Sequence, residues 1–440
     1  MVNRHPAILL RNVHLPGEEG ARAIRVADGR IADAGGAGGR GPSSGPEQEV
    51  ITLDFDGALA FPGLINSHDH LDFNLFPRVG NGNYANYREW GHDIHLRNKD
   101  VIDPVLQVPQ ELRVQWGIYK NLLNGVTTVI NHGRPLSIPN ALITILQPLS
   151  LHSLGTEKKW KYTLNRFYKK KPTFVIHIGE GTDKIAGGEI DSLIRWNIFR
   201  RDLIGIHGVA MKERQASSFR ALIWCPDSNY FLFSMTASID LLKRKTPILF
   251  GTDSTLTADW NLWEQLRLAR AQGMAGDAEL LDMLTRAPAN IWGLEGSGSI
   301  DTGQRADLVV AEAGKGGTTA MAEAGTAGGA EAVAEKGDAT GAAVATGRGA
   351  DAKGGAAAGS WDDFYGLNPD KILLVLHKGV INLFDQSLYD RLAACHYPLH
   401  EFYKIRIHEK EKYVRGDLPG LMRAIRDWHP SVVFPGTATD

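Results

Sequence analysis

Apolar and polar positions follow two rhythms along this chain. Between residues 61 and 300, short apolar runs alternate with longer amphipathic stretches. Val126–Ile130, Leu142–Leu149, Thr173–His177, Leu203–His207, Leu222–Cys225 and Pro247–Gly251 read as buried strands. Pro109–Asn124, Glu189–Arg200, Thr236–Lys243, Trp260–Gln272 and Ala278–Arg286 read as helices between them. Strand–helix alternation implies a parallel sheet, and periodicity alone does not separate a closed barrel from an open one. Outside this stretch the pieces are shorter. Ala7–Val13, Ala23–Val26 and Val50–Leu53 read as strands, with a hairpin signal at Asp28-Gly29. Lys371–Lys378, Gly379 and Val380–Phe384 repeat that style near the other end, so the two sets are expected to pair into one small sheet unit.

Composition changes the picture in one place. Residues 311–360 hold 31 Ala or Gly and no aromatic residue, so they read as a flexible low-complexity insertion. A smaller Gly/Pro/Ser cluster, Gly35 to Pro46, reads as a loop tip. The organisation expected is therefore 1–60 as the first part of a small β domain, 61–300 as the main α/β unit, 301–310 with 371–390 as the second part of the β domain, 311–360 as the insertion, and 391–440 as a tail. Net charge is −2, which argues against nucleic acid or an acidic membrane as partner. Two cysteines, Cys225 and Cys395, are too few for a disulfide framework and suit a reducing, cytoplasmic setting. No run of apolar residues is long enough to span a bilayer.

Candidate chemistry sits at the ends of the apolar runs. Phe61-Pro-Gly-Leu-Ile-Asn-Ser-His68-Asp-His70 places two histidines at i and i+2, which face the same side of a strand. Thr173–His177 ends in a histidine, with Glu180 three residues on; Leu203–His207 ends in another, and Ile248-Leu-Phe-Gly-Thr-Asp253 ends in an aspartate. Each feature alone is compatible with turn chemistry. Together, four strands each end in a metal-capable or proton-transferring group, at the edge where parallel α/β folds build their sites.

In these residues the chain resembles the amidohydrolase superfamily, most of all its mononuclear aminohydrolase branch of cytosine, guanine and triazine hydrolases. Asn124-Gly-Val-Thr-Thr-Val129 resembles the second strand of that barrel, Trp224-Cys-Pro-Asp-Ser-Asn229 the segment at its seventh, and Ala306-Asp-Leu-Val-Val310 the return to its small domain. The resemblance implies a (β/α)8 TIM-like barrel with a composite β-sandwich domain from both chain ends. It implies one divalent metal, Zn²⁺ or else Fe²⁺, held by His68, His70, His177 and Asp253. Glu180, His207 and Asp253 are then the catalytic groups, the substrate a small molecule, and the reaction hydrolysis of a non-peptide C–N bond. A homo-oligomer is compatible with this reading. A binuclear cyclic-amide hydrolase of the hydantoinase or dihydroorotase kind is the alternative. It needs a bridging carboxylated lysine, for which Lys158, Lys159 and Lys161 are the candidates, although they end no apolar strand. A metal-holding scaffold without catalysis is the rival from another class.

One departure stands out. Only Leu142–Leu149 reads as a strand where the barrel needs a third and a fourth, so distortion is expected there. Around the site, Trp90, His92 and His95 in the segment Asn81–Asn98 are candidates for a lid, and His132 and His152 for pocket walls. The histidines of the tail, His396, His400, His408 and His429, read as surface or docking residues.

Overall fold

A computed structural model describes residues 6–35, 50–139, 141–169, 171–313 and 359–438. Most of the Ala/Gly-rich segment and most of the loop tip Gly35–Pro46 thus lie outside the described residues. The strands are β1 (Ala7–His14), β2 (Arg22–Ala27), β3 (Arg30–Asp33), β4 (Val50–Pro62), β5 (Leu64–Asp69), β6 (Val126–Asn131), β7 (Thr144–Leu146), β8 (Leu149–Ser153), β9 (Thr173–Ile178), β10 (Asp202–His207), β11 (Ala221–Trp224), β12 (Ile248–Phe250), β13 (Leu308–Ala311), β14 (Ile372–His377), β15 (Val380–Asp385), β16 (Phe402–Ile407), β17 (Lys410–Arg415) and β18 (Thr437–Ala438).

Three sheets result. β5-β6-β7 and β12-β11-β10-β9-β8 are wholly parallel. β5, β6, β9, β10, β11 and β12 are buried on both faces, which is why the sequence shows apolar runs there rather than alternation. The third sheet has ten strands in the order β18-β16-β17-β15-β14-β13-β4-β1-β2-β3. It joins both chain ends, because β4 lies parallel to β1 and antiparallel to β13. The described residues of the two chain ends are joined in this one hydrogen-bonded sheet. The stretch read as a tail adds β16, β17 and β18 to it, and Phe434 packs edge-on against Trp116 at 4.7 Å.

The distortion has a simple form. β7 and β8 are two halves of one run, separated only by Gln147 and Pro148. Pro148 has no N–H to offer a ladder, so pairing changes partner there. β7 bonds to β6, and β8 bonds to β9. One kinked strand therefore stands where two were expected, and no helix separates its halves. At the opposite junction, the Asp253 N–H donates to the His68 carbonyl at 3.1 Å, tying the end of β12 to β5. Gly251 makes this approach feasible, since a Cβ there would lie 2.7 Å from the His68 Cβ.

Helix boundaries shift where caps decide them. The helix expected over Glu189–Arg200 runs instead over Lys184–Trp196, because the Asp183 side chain caps the N–H groups of Ile185 and Ala186.

Candidate functional site

β5 brings His68 and His70 to one side, with ring centres 4.9 Å apart. β9 delivers His177, whose Nε2 lies 3.2 Å from His68 Nε2. The turn after β12 delivers Asp253, with Oδ1 3.5 Å from His68 Nε2 and 3.8 Å from His70 Nε2. Two overlapping ligand triads form, His68–His70–Asp253 and His68–His177–His207, sharing His68. All of these side chains are buried. Burial, followed by the charge of neighbouring His68, drives His70 down to about 3. His207 falls to about 4, chiefly through burial, and burial carries His177 well below its ordinary value. These rings are neutral near pH 7, the state a metal ion requires. Burial alone would raise Asp253; the hydrogen bond to His68 leads the neighbouring effects that outweigh it and hold the carboxyl well below its ordinary value. Neutral imidazoles around an ionised carboxylate fit Zn²⁺.

His207 and Asp253 share a backbone feature. Both have left-handed φ, 71° and 55°, uncommon for residues with side chains. Each is held by partners from the helix Pro226–Phe233. Ser228 Oγ donates to Asp253 Oδ2 at 2.8 Å, and Thr257 Oγ1 lies 3.1 Å from the same oxygen. Asn229 donates through Nδ2 to Thr236 and presents Oδ1 to His207 Nδ1 at 2.9 Å. That bond fixes the His207 tautomer, leaving Nε2 to face Glu180 Oε1 at 3.7 Å and Asp253 Oδ2 at 3.9 Å. Burial first, then the negative charges of Asp253 and Glu189, push the Glu180 carboxyl well above the usual range. A carboxyl raised in this way, beside an aspartate held low, is suited to donate a proton.

Beneath the site lies a buried ion pair. Asp69, between the two β5 histidines, points away from them to Lys120 of the helix Gln110–Leu123, Oδ2 to Nζ 3.1 Å. Asn121, Asn74 and Asn66 also donate to Asp69. Lys120 reaches Thr252 Oγ1 at 3.1 Å, immediately before Asp253. One network therefore grips both ligand-bearing segments from behind.

Two further histidines join the cluster. His132 is buried, with its ring centre 4.4 Å from His177 and 5.3 Å from His68, and neither ring nitrogen has a protein partner. His152, on β8, lies 5.1 Å from His177 and is exposed. It marks the side on which solvent reaches the site, where the kinked strand replaces two.

Other candidates fall elsewhere. Trp90 is a packed anchor, donating to the Val79 carbonyl at 2.8 Å and resting on Leu232 and Phe233. His92 and His95 are exposed. The expected lid is instead latched by backbone: Tyr87 N–H donates to the Glu180 carbonyl, and Thr182 N–H to that of Ala85. Lys158, Lys159 and Lys161 are exposed, and Lys161 lies over the Trp196 ring, so none bridges metal positions. Cys225 is buried and its thiol pushed well up, first by burial, which makes it inert. Ser228, Asn229 and Lys120 carry no sequence signal of their own role; the segment Trp224–Asn229 marked the first two only as a motif.

Residues 177–344 match the family model described as amidohydrolase family. Over this segment, somewhat more than a third of the chain, the sequence is similar to that family. No curated protein matches the sequence. Among solved structures, an adenosine deaminase from Xanthomonas campestris with bound zinc is similar over 97% of this chain and 98% of that one, at 16% identity and a TM-score of 0.60. An atrazine chlorohydrolase from Arthrobacter aurescens, complexed with zinc, is similar over 88% and 99%, at 14% identity and a TM-score of 0.56. At these identities the likeness is one of fold. Among the described residues, no helix is long and apolar enough to cross a membrane.

Proposed function

We propose that this chain is an amidohydrolase, a mononuclear, metal-dependent hydrolase that deaminates a small nitrogen heterocycle. The two parallel sheets are read as one barrel distorted at β7–β8, spanning 61–300, with the ten-stranded sheet as the composite domain. His68, His70, His177 and Asp253 would hold one zinc ion, whose role when bound is to acidify water and polarise the reacting carbon. The chain's own groups supply the rest. Asp253 accepts the water proton through the carboxylate that Ser228 and Thr257 orient. Neutral His207, its Nδ1–H held by Asn229, presents an unprotonated Nε2 that accepts a hydrogen bond from the attacking water. Glu180, held as the acid, protonates the ring nitrogen or the departing amine. Oxygen from water bonds to the sp² carbon, the C–N bond breaks, and ammonia leaves with the transferred protons. The fold neighbours support this reading, since one is an adenosine deaminase with bound zinc and the other an atrazine chlorohydrolase complexed with zinc.

The observation that carries the proposal is the convergence of His68, His70, His177 and Asp253 within ligand reach of one another, with Glu180 Oε1 3.7 Å and Asp253 Oδ2 3.9 Å from His207 Nε2. The test is metal analysis with an ammonia-release screen of amino-substituted heterocycles, comparing the native chain with Glu180→Gln. The variant should keep one metal per chain and lose roughly 10²–10⁴-fold in turnover. Undiminished turnover would refute the role of Glu180. Two metals per chain would favour the binuclear alternative.

A further inference from the structure

The sequence segregates its charge at one surface. Residues 158–171 contain seven Lys or Arg and residues 195–201 three more, with no acid in either stretch. In a chain of net charge −2, the remainder must carry about −12. The two stretches are neighbours in the structure. Asn165 Nδ2 donates to the Trp196 carbonyl at 2.7 Å, and an Arg201 guanidinium nitrogen donates to the Arg166 carbonyl at 3.0 Å. Lys161 Nζ lies 4.2 Å from the Trp196 ring centre.

Large apolar side chains project from the same place. Phe167 is 87% exposed, Tyr162 69%, Ile198 63%, Phe199 58% and Trp196 39%. Phe167 sits in the loop leading to β9, and Ile198 and Phe199 in the loop leading to β10, so both tips project from one end of the fold. That end is opposite to the C-terminal strand ends that carry His177 and His207. Monomeric proteins rarely leave such residues clustered in water without use. Beside them, Arg200, Arg201, Arg220, Asn197, Ser217 and Ser218 line a cleft of about 490 Å³.

We propose that this face docks on an anionic lipid surface, with Phe167, Ile198 and Phe199 inserting at the headgroup boundary and the basic side chains meeting the phosphates. The composition fits: aromatic and aliphatic tips ringed by Lys and Arg is the pattern of interfacial anchors. The long cationic side chains can lay their stems over apolar surface while keeping the charge among headgroups. The cleft offers donors to a phosphate and no free acid, since Asp202 is engaged by Lys171 and Arg220. A single-stranded nucleic acid, which would also answer to basic and aromatic groups, is less well matched. Ile198 offers no stacking face, and the apolar residues stand on projecting loops rather than along a groove.

The test sediments the full chain with vesicles of equal parts phosphatidylcholine and phosphatidylglycerol, against vesicles of phosphatidylcholine alone. Binding to the anionic vesicles, weakened by salt, is expected. Each cation at such a surface contributes about a fivefold factor, so Lys169→Gln with Arg200→Gln should lower partitioning about twenty-five-fold. Phe167→Ser with Ile198→Ser, both at exposed positions, should also lower it, with metal content unchanged. Equal partitioning to both vesicle types overturns the proposal, as does unchanged binding of the Phe167→Ser/Ile198→Ser variant. Displacement from anionic vesicles by a single-stranded oligonucleotide that binds more tightly would reassign the face to nucleic acid. A concentration-dependent dimer abolished by the same apolar substitutions would reassign it to a second copy of the chain.

Discussion

Replacing Lys120 by Met isolates the contribution of the network behind the site. In the native chain Lys120 and Asp69 are both fully buried, 3.1 Å apart. Removing one partner of a buried pair leaves an uncompensated charge and costs about 3–5 kcal/mol. Three asparagine side chains still donate to Asp69, at 2.7 Å from Asn121, 2.7 Å from Asn74 and 3.2 Å from Asn66. They place the loss at the lower end, about 3 kcal/mol, which is roughly a 150-fold change in the unfolding equilibrium. Lys120 also contacts Thr252, the residue before Asp253, and Asp69 separates His68 from His70. Ligand placement should therefore loosen as well, lowering zinc affinity by about 10–100-fold, as loss of groups that orient ligands does elsewhere. Urea unfolding of the metal-free chain measures the first effect, and competition against a chromophoric chelator measures the second. Adding Asp69→Asn to Lys120→Met removes the stranded charge, so the double variant should lose less than the two singles combined, by about 0.5–3 kcal/mol. If Lys120→Met unfolds within 1 kcal/mol of the native chain, and binds zinc equally well, the network does not organise the site.

Other outcomes follow from single features. His132→Phe should keep its full metal content and raise KM about tenfold, because one hydrogen bond to the substrate is worth about 0.5–1.5 kcal/mol; loss of metal instead would make His132 a ligand. Gly251→Ala should cost about 1–3 kcal/mol and lower metal occupancy, since the new methyl meets the His68 Cβ at 2.7 Å; full occupancy in a metal assay would contradict this. Asp307 supplies an acid-range prediction. Burial pushes its carboxyl up, but the hydrogen bond and charge of His377, then the charge of Arg305 and the Lys378 N–H, hold it below the ordinary value of 3.8. The native state therefore binds fewer protons here than the unfolded chain, so this contribution is present above pH 3.8 and lost as pH falls through the depressed value. Thermal unfolding from neutral pH to pH 3 should show Asp307→Asn losing stability at neutral pH and less of it on acidification; identical acid profiles would exclude the pairing.

The clustering of the candidate site residues was more legible in the sequence than the frame that holds them. His68, His70, His177, His207 and Asp253 were readable because buried parallel strands are unbroken apolar runs, and a polar residue ending one is conspicuous. The β7–β8 run gave a single strand signal because it is one run; that Pro148 would hand its pairing from β6 to β9 has no local signature. β16 and β17 escaped notice because their exposed faces are Lys, Arg and Glu, and pairing to β15 decides their conformation. The lid residues failed for the opposite reason. Trp90 resembles a stacking group in sequence, yet its indole N–H is consumed by the Val79 carbonyl. Ser228 and Asn229 act through partners on β10 and after β12, and such pairings are set by the fold alone.

The pairing of β4 with β13 also bears on how the chain is made. Phe61 faces Val309, and almost the whole site-bearing stretch lies between them in sequence. At about 5–20 residues per second, a ribosome that has released β4 needs on the order of ten seconds or more to deliver β13. Throughout that interval the apolar segment Ala58-Leu59-Ala60-Phe61 has an open strand edge. The parallel strands, whose partners follow one another closely, can assemble first, leaving β4 as an unfinished seam on the nascent chain. Productive synthesis should therefore depend on whatever shields that seam, and truncations ending before β13 should aggregate even though they contain every metal ligand.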